Sequence, residues 1–116
     1  MTTKEVNLVI SYPANINDRC MLELKSNITK KLPEIMKKPF RCICTVDSVE
    51  FYTSELTHFQ NMQITLSTED ERCISHINSF CEAMMYSGWE EYLELFTAYS
   101  PNNTKILPNG YKIRYK

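Results

Sequence analysis

The chain has 116 residues, of which 43% are apolar and 23% charged, and its formal net charge is −1. This length and balance are typical of one water-soluble domain, so we expect a single domain covering residues 1–116. No run of about 18 apolar residues occurs, which argues against a membrane-spanning helix. We therefore expect no membrane partner.

The N-terminus and the cysteines together predict a cytoplasmic protein. The first six residues, MTTKEV, lack the apolar stretch of a secretory signal. Five cysteines are an odd number, and without such a signal reduced thiols are the expected state. Two glycines, Gly88 and Gly110, are too few for the glycine-rich loops that bind phosphates. We expect no cofactor.

The first two predicted elements are a strand and a helix. Apolar residues alternate from Val6 to Tyr12, which predicts a strand with one buried face. From Arg19 onward apolar residues recur every three or four positions, which predicts an amphipathic helix. Pro33 either ends this helix or begins a further turn that reaches Lys38.

Two further strands are predicted before the middle of the chain. Residues 40–53 are strand-like, but the apolar positions change parity partway along. This change predicts a bulge or a turn near Asp47 and Ser48. Residues 62–66 alternate between apolar and polar side chains and predict another half-buried strand.

The strongest helix signal covers residues 68–85. Thr68 and Glu71 have the spacing of a capping box, in which each side chain accepts from the other residue's backbone amide. Apolar residues from Cys73 onward then recur at helical spacing, so one stripe of this helix should pack on a core.

A second helix is predicted directly afterwards. Ser87 and Glu90 repeat the capping-box spacing, and the aromatic residues within 89–99 fall at helical intervals. A strand through residues 93–99 is the alternative interpretation.

The chain ends in a predicted hairpin, with residues 104–107 and 111–115 on either side of the turn Pro108-Asn109-Gly110. The order of elements predicts an α+β fold. We expect a small antiparallel or mixed sheet of four to five strands with helices on one face, a split βαβ or ferredoxin-like variant. The other face of such a sheet would stay open, which invites a homodimer.

Charge is distributed unevenly along the chain. Residues 54–100 contain eight acidic side chains and one basic one, Arg72, whereas residues 101–116 carry a net charge of +4. The acids can form a solvated helix face, or they can present a negative field to a basic protein partner. This acidic face comprises Glu69, Asp70, Glu71, Glu90, Glu91 and Glu94. Trp89 and Tyr92 are either core residues or aromatic anchors of the same interface.

A basic surface is the alternative binding region. Interleaved cations and aromatic rings suit single-stranded nucleic acid, which needs both charge and stacking surfaces. Alternation along a strand, however, places Tyr111 and Tyr115 on the opposite face from their basic neighbours. Cations on an edge strand also serve to block unwanted strand pairing. The residues of this nucleic-acid face are Lys30, Lys31, Lys37, Lys38, Arg41, Lys112, Arg114 and Lys116.

Few residues suggest catalysis or metal binding. A zinc site can be drawn from two strand cysteines and one helix turn, using Cys42, Cys44, Cys73 and His76. Residues two apart on a strand are about 6.5 Å apart, too wide for two thiolates on one tetrahedral ion. We therefore expect core cysteines and no metal. An enzyme built on a Cys/His pair, with either His58 or His76, is the weakest hypothesis.

The sequence thus predicts a non-catalytic protein that binds another protein. Scarce Gly beside abundant Asn, Ile, Lys and Tyr fits an AT-rich genome, so one hypothesis is a viral or phage effector that inhibits a host factor. The first alternative is a nucleic-acid-binding domain that uses the basic C-terminal strand and the segment from Lys30 to Arg41. The second is the Cys/His enzyme.

Overall fold

The computed structural model describes residues 4–13, 16–38, 41–56, 58–86, 90–99, 102 and 104–115. Within these residues the elements follow in the order β1 (Lys4–Tyr12), α1 (Asp18–Lys37), β2 (Thr45–Thr53), β3 (Gln60–Thr68), α2 (Arg72–Tyr86), α3 (Glu90–Leu95), β4 (Ala98–Tyr99), β5 (Lys105–Ile106) and β6 (Gly110–Tyr115). None of the described helices has both the length and the apolar character needed to cross a bilayer.

The main sheet has four strands in the order β2-β3-β1-β6, and each neighbouring pair is antiparallel. β1 lies between β3 and β6, so the chain leaves the sheet centre through α1, returns at one edge, and later closes the other edge. This order confirms the predicted α+β class and its split βαβ arrangement. β4 and β5 form a second, two-stranded sheet.

Alternation in the strands separates a core face from an open face. Val6, Leu8 and Ile10 of β1 are buried and face Leu66, Ile64 and Met62 of β3 across the ladder. α1 and α2 cover this core face, and their apolar stripes belong to the same cluster of buried side chains. Removal of these side chains from water is the main force that holds the helices on the sheet.

Apart from the buried Val9, the open face of the sheet is polar along its two central strands. Thr65 Oγ1 donates to Asn7 Oδ1 at 3.1 Å, and Ser11 Oγ donates to Asn61 Oδ1 at 2.6 Å. Each pair joins residues directly opposite each other on β3 and β1. Asn7 and Asn61 are each 8% exposed, so their neighbours shield them although no described helix lies on this face.

α1 begins at a polar cap and continues beyond its proline. The Asn17 side chain accepts from the Cys20 amide at 2.9 Å, which satisfies one of the free amides of the first turn. The helix then runs to Lys37 with Pro33 inside it. Of the two alternatives at Pro33, the further turn is therefore the correct one.

A β-bulge in β2 explains the change of parity. The register with β3 shifts between Val46 and Ser48, so Asp47 is the extra residue, as predicted. The Asp47 carboxylate accepts from Thr45 Oγ1 at 3.2 Å and also from Ser67 Oγ. These contacts secure the bulge to the neighbouring strand.

The predicted start of the main helix is wrong. Thr68 is the last residue of β3, and its hydroxyl donates to the Ile43 carbonyl at 2.9 Å rather than closing a capping box with Glu71. α2 begins at Arg72, whose amide donates to Asp70 Oδ1 at 2.9 Å. An aspartate two residues later thus takes the capping role, because the strand already uses the threonine.

The end of the chain differs from the predicted hairpin, which is wrong. Residues 105–106 pair with Ala98 and Tyr99, while β6 pairs with β1. The Asn109 amide donates to the Ser11 carbonyl at 2.6 Å and so directs β6 onto the free side of β1. α3 confirms the helical interpretation for residues 90–95, but it ends before Tyr99. The predicted cap at Ser87 lies outside the described residues.

A disulfide joins Cys42, just before β2, to Cys73 in the first turn of α2, with a Cα–Cα distance of 5.0 Å. Cys20, Cys44 and Cys81 are free thiols in buried positions. The expectation that all five thiols are reduced is therefore not confirmed.

Removal of the disulfide should weaken the fold. The bond closes a sequence separation of 31 residues, so the double variant Cys42→Ala/Cys73→Ala should lose about 3–4 kcal/mol of unfolding free energy, measured by urea denaturation without reductant. Wild-type protein in excess dithiothreitol should show a comparable loss. An unchanged wild-type midpoint in reductant would argue against the bond.

The hydroxyl of Tyr12 should contribute through one buried hydrogen bond. Tyr12 is fully buried and donates to the Phe96 carbonyl at 2.7 Å, and burial raises the pKa of its phenol far above the ordinary value. Tyr12→Phe should cost about 1–2 kcal/mol in urea unfolding, because the carbonyl loses its donor away from water. Tyr52→Phe, on the open face, is the control and should unfold like wild type.

Candidate functional site

A cleft of about 610 Å³ lies at the end of the sheet where β2 begins and β3 ends. Residues of two segments, 41–45 and 67–72, line it. Its volume is within the range of ligand-binding clefts. We refer to it below as the Ile43 cleft.

Ile43 is the exposed apolar side chain that lines this cleft. Its side chain is 72% exposed, whereas Cys42 and Cys44 on either side of it are buried. In an extended segment successive side chains point to opposite sides, so burial of the two cysteines directs the isoleucine outward. A large apolar side chain is thereby presented to solvent at the mouth of a concave surface.

The backbone that carries Ile43 is attached at three points. The Cys42 amide donates to the Met36 carbonyl at 3.0 Å, and the disulfide ties Cys42 to α2. The Ile43 carbonyl itself accepts from Thr68 Oγ1. A side chain on an anchored backbone loses less conformational freedom when a partner binds.

Charges of both signs surround the cleft. The Arg72 guanidinium donates to both Asp70 carboxylate oxygens, at 3.2 and 3.1 Å. These hydrogen bonds from Arg72 lower the pKa of Asp70 and keep it ionised. Arg41 and Glu69 are exposed on the same rim. Arg41 has a φ of 51°, a conformation uncommon for a residue with a side chain.

The structure divides the predicted acidic face between two regions. Glu69 and Asp70 line the Ile43 cleft, and Glu71 forms an exposed ion pair with Lys4. Glu94 instead accepts from the Tyr99 hydroxyl, which raises the pKa of that phenol. Glu90, Glu91 and Tyr92 belong to α3, but their side chains, like Trp89 as a whole, are outside the described part of the structure.

Glu94 lines a second, smaller cleft between α1 and β4, together with Cys20 and Lys31. The Cys20 thiol donates to the Tyr99 carbonyl at 2.6 Å. The volume of this cleft is about 190 Å³, below the roughly 300 Å³ of a typical small-molecule site. It is therefore a weaker candidate than the Ile43 cleft.

The predicted nucleic-acid residues lie on different sides of the molecule. Lys112 and Arg114 are exposed on the open face, while Tyr111 and Ile113 of the same strand pack against the core cluster. α1 lies on the opposite side of the sheet and carries exposed Lys30, Lys31 and Lys37, and exposed Lys38 follows as its C-cap. Arg41 lines the Ile43 cleft, and Lys116 lies outside the described residues. On β6 the cations and the described aromatic ring, Tyr111, thus lie on opposite faces.

The environment of the thiols does not favour nucleophilic chemistry. Burial raises the pKa of Cys44, and burial with the nearby Glu82 carboxylate raises the pKa of Cys81 to about 12. Cys42 and Cys73 are consumed by the disulfide. Thiols with raised pKa values carry little thiolate at neutral pH and react slowly.

Metal ligands are not gathered in the described part of the chain. No group of three or more His, Cys, Asp or Glu side chains there is arranged around a common point. His76 Nδ1 is buried without a hydrogen-bond partner among the described residues. The disulfide also removes two of the four ligands from which a zinc site could be drawn.

The chain matches no protein-family model, no curated protein and no solved structure.

Ile43 and Arg72 are the residues that sequence reasoning did not assign to a site. The parity of residues 42–44 was an available signal for Ile43, because a strand that buries both flanking cysteines exposes the residue between them. No local pattern marks Arg72, since its role depends on how β3 turns into α2.

The structure predicts that Asp70, rather than Glu71, supports the start of α2. Asp70→Ala removes both the amide acceptor and the Arg72 partner, so it should lower the melting temperature more than Glu71→Ala. The pKa of Asp70 is lowered in the folded state, so its contribution is present at neutral pH and is lost as the pH falls through that lowered value. Melting curves of the variants from neutral to acidic pH check both statements. A larger effect of Glu71→Ala would contradict them.

Proposed function

We propose that this chain is a non-catalytic protein-binding domain whose partner binds at the Ile43 cleft. The observation that supports the proposal most directly is the exposure of Ile43 on an anchored backbone. Protein interfaces obtain much of their affinity from a few central side chains that fit a concave surface inside a polar rim. Here Ile43 is the exposed apolar side chain, the cleft is the concave surface and the charged residues form the rim.

The charges of the rim favour a protein over a nucleic acid. Glu69 and Asp70 would repel phosphates, and the Asp70 contact neutralises much of the charge of Arg72. Arg41 is left as a cation for a partner carboxylate, and Glu69 as an anion for a partner lysine or arginine. We therefore expect a partner that presents an apolar side chain between charges of both signs.

The proposed binding surface contains only part of the predicted acidic face. Glu71 and Glu94 already have contacts within the chain, and a partner would have to replace them. Glu69 and Asp70 keep a role at the rim, where charge steers approach and sets specificity more than affinity.

Site-specific photo-crosslinking tests the proposal. Ile43 is replaced by p-benzoylphenylalanine and the protein is irradiated in an extract of the source cells. Leu56 is the matched control position, because it is 95% exposed in the turn between β2 and β3 and lies outside the cleft. We expect a discrete crosslinked protein from position 43 and not from position 56.

Competition decides whether the crosslink reports the cleft. Excess unlabelled wild type should remove the product, whereas excess Ile43→Asp should not, since a buried charge disfavours the apolar contact. Equal products from both positions, or equal competition by the variant, would reject the proposal. A product that disappears with nuclease, and oligonucleotide binding that weakens steeply with salt, would indicate the nucleic-acid alternative instead.

A further inference from the structure

The two edges of the main sheet are protected to different degrees. β6 carries Lys112 and Arg114, and cations on an edge strand disfavour pairing with another strand. β2 is disrupted by the bulge at Asp47, but from Ser48 to Thr53 it runs in regular register with β3. This part of β2 contains neither lysine nor proline, and no strand of the described chain pairs with its outer side.

A cleft of about 560 Å³ lies beside this regular part of β2, on the side of α1. Phe51 and Met21 line it, and both are partly buried against the core cluster. Leu22 also lines the cleft and is 68% exposed. The open edge is therefore accompanied by an exposed apolar side chain on the neighbouring helix.

Besides Met21, three residues of α1 line this cleft as a stripe. Asp18, Leu22 and Lys25 are spaced four and three positions apart, which places them on one face of the helix. An anion, an apolar side chain and a cation follow each other along that face. When such a stripe meets an antiparallel copy of itself, Leu22 meets Leu22, and each Asp18 faces the partner's Lys25.

We propose that two copies of this chain form a symmetric dimer by antiparallel pairing of their β2 edges, with the two α1 stripes side by side. The charge pattern of the stripe selects a second copy as the occupant, because it is complementary to itself under a two-fold rotation. This surface is separate from the Ile43 cleft, so the dimer does not depend on the proposed partner.

The sequence of β2 also disfavours one register of this pairing. Side chains that oppose each other across two antiparallel strands lie on the same face of the sheet. When the two strands are identical, one residue must therefore lie opposite its own copy, with the two-fold axis between them. Centring on Glu50 would place two carboxylates opposite each other, which is destabilising. Centring on Phe51 pairs the two phenylalanines on the core face and places each Glu50 opposite the partner's Tyr52 on the open face. Of these two registers, the one centred on Phe51 is therefore favoured.

Sedimentation equilibrium over a range of protein concentrations tests the dimer. Wild type should dimerise, and Leu22→Asp should raise the dissociation constant by about a hundredfold, because two apolar side chains are lost from the interface. Leu56→Asp, an equally polar change at an exposed site remote from this surface, should dimerise like wild type. Circular dichroism checks that each variant is folded.

Charge reversal tests the antiparallel stripe. Asp18→Lys and Lys25→Asp should each raise the dissociation constant of the dimer by about tenfold. Each change puts like charges at both contacts between residue 18 and the partner's residue 25. The double variant should restore wild-type affinity, and an equimolar mixture of the two single variants should form a heterodimer. Wild type that stays monomeric at all concentrations would overturn the proposal. This holds even if the β2 edge then proves to bind an extended peptide. A dimer insensitive to Leu22→Asp, or no rescue in the double variant, would also overturn it.

Discussion

One extra residue in β2 determines how both proposed surfaces are presented. Val49 and Phe51 face the core after the bulge at Asp47, and Val46 faces it before the bulge. In a regular strand these two sets would point to opposite sides. Without the extra residue, the segment before the bulge would turn its buried cysteines outward and Ile43 inward. The bulge therefore allows a buried disulfide, an exposed isoleucine and a core-facing edge strand in one continuous segment.

The same region connects the two halves of the fold. The disulfide attaches the entry of β2 to α2, and the Thr68 hydroxyl attaches the end of β3 to the Ile43 carbonyl. The Met36 carbonyl adds a link to the last turn of α1. Two helices and two strands thus meet around one short segment. The shape of the Ile43 cleft follows from this convergence rather than from the local sequence alone.

Much of the fold could be predicted from the sequence, because it depends on periodicity. The alternation in β1 and β3, the stripe of α1 and the change of parity at Asp47 each report which side chains leave water. The start of α2 could not be read correctly, because Thr68 has two uses and the strand contact with Ile43 takes precedence over the local cap. The pairing of the C-terminal segments failed for a related reason. A turn signal shows where the chain bends but not which strand it then joins.

The candidate sites were less predictable than the fold. Charge counts identify Glu69, Asp70 and Glu71 as a group, but they do not show that Arg72 and Lys4 approach two of them. The sequence likewise names the basic residues, but it does not show that they lie on two separate faces of the structure. Binding surfaces combine residues that are distant along the chain, so their composition follows from topology.

The hydrogen bonds across the open face affect how readily another molecule binds there. Asn7 with Thr65, and Ser11 with Asn61, satisfy one another in the middle of the sheet. A macromolecule that covered them would either break these bonds, at a cost, or leave them intact and gain little, because Asn7 and Asn61 are already mostly removed from water. The middle of the open face therefore offers a partner little additional burial, which favours the margins of the sheet as binding surfaces.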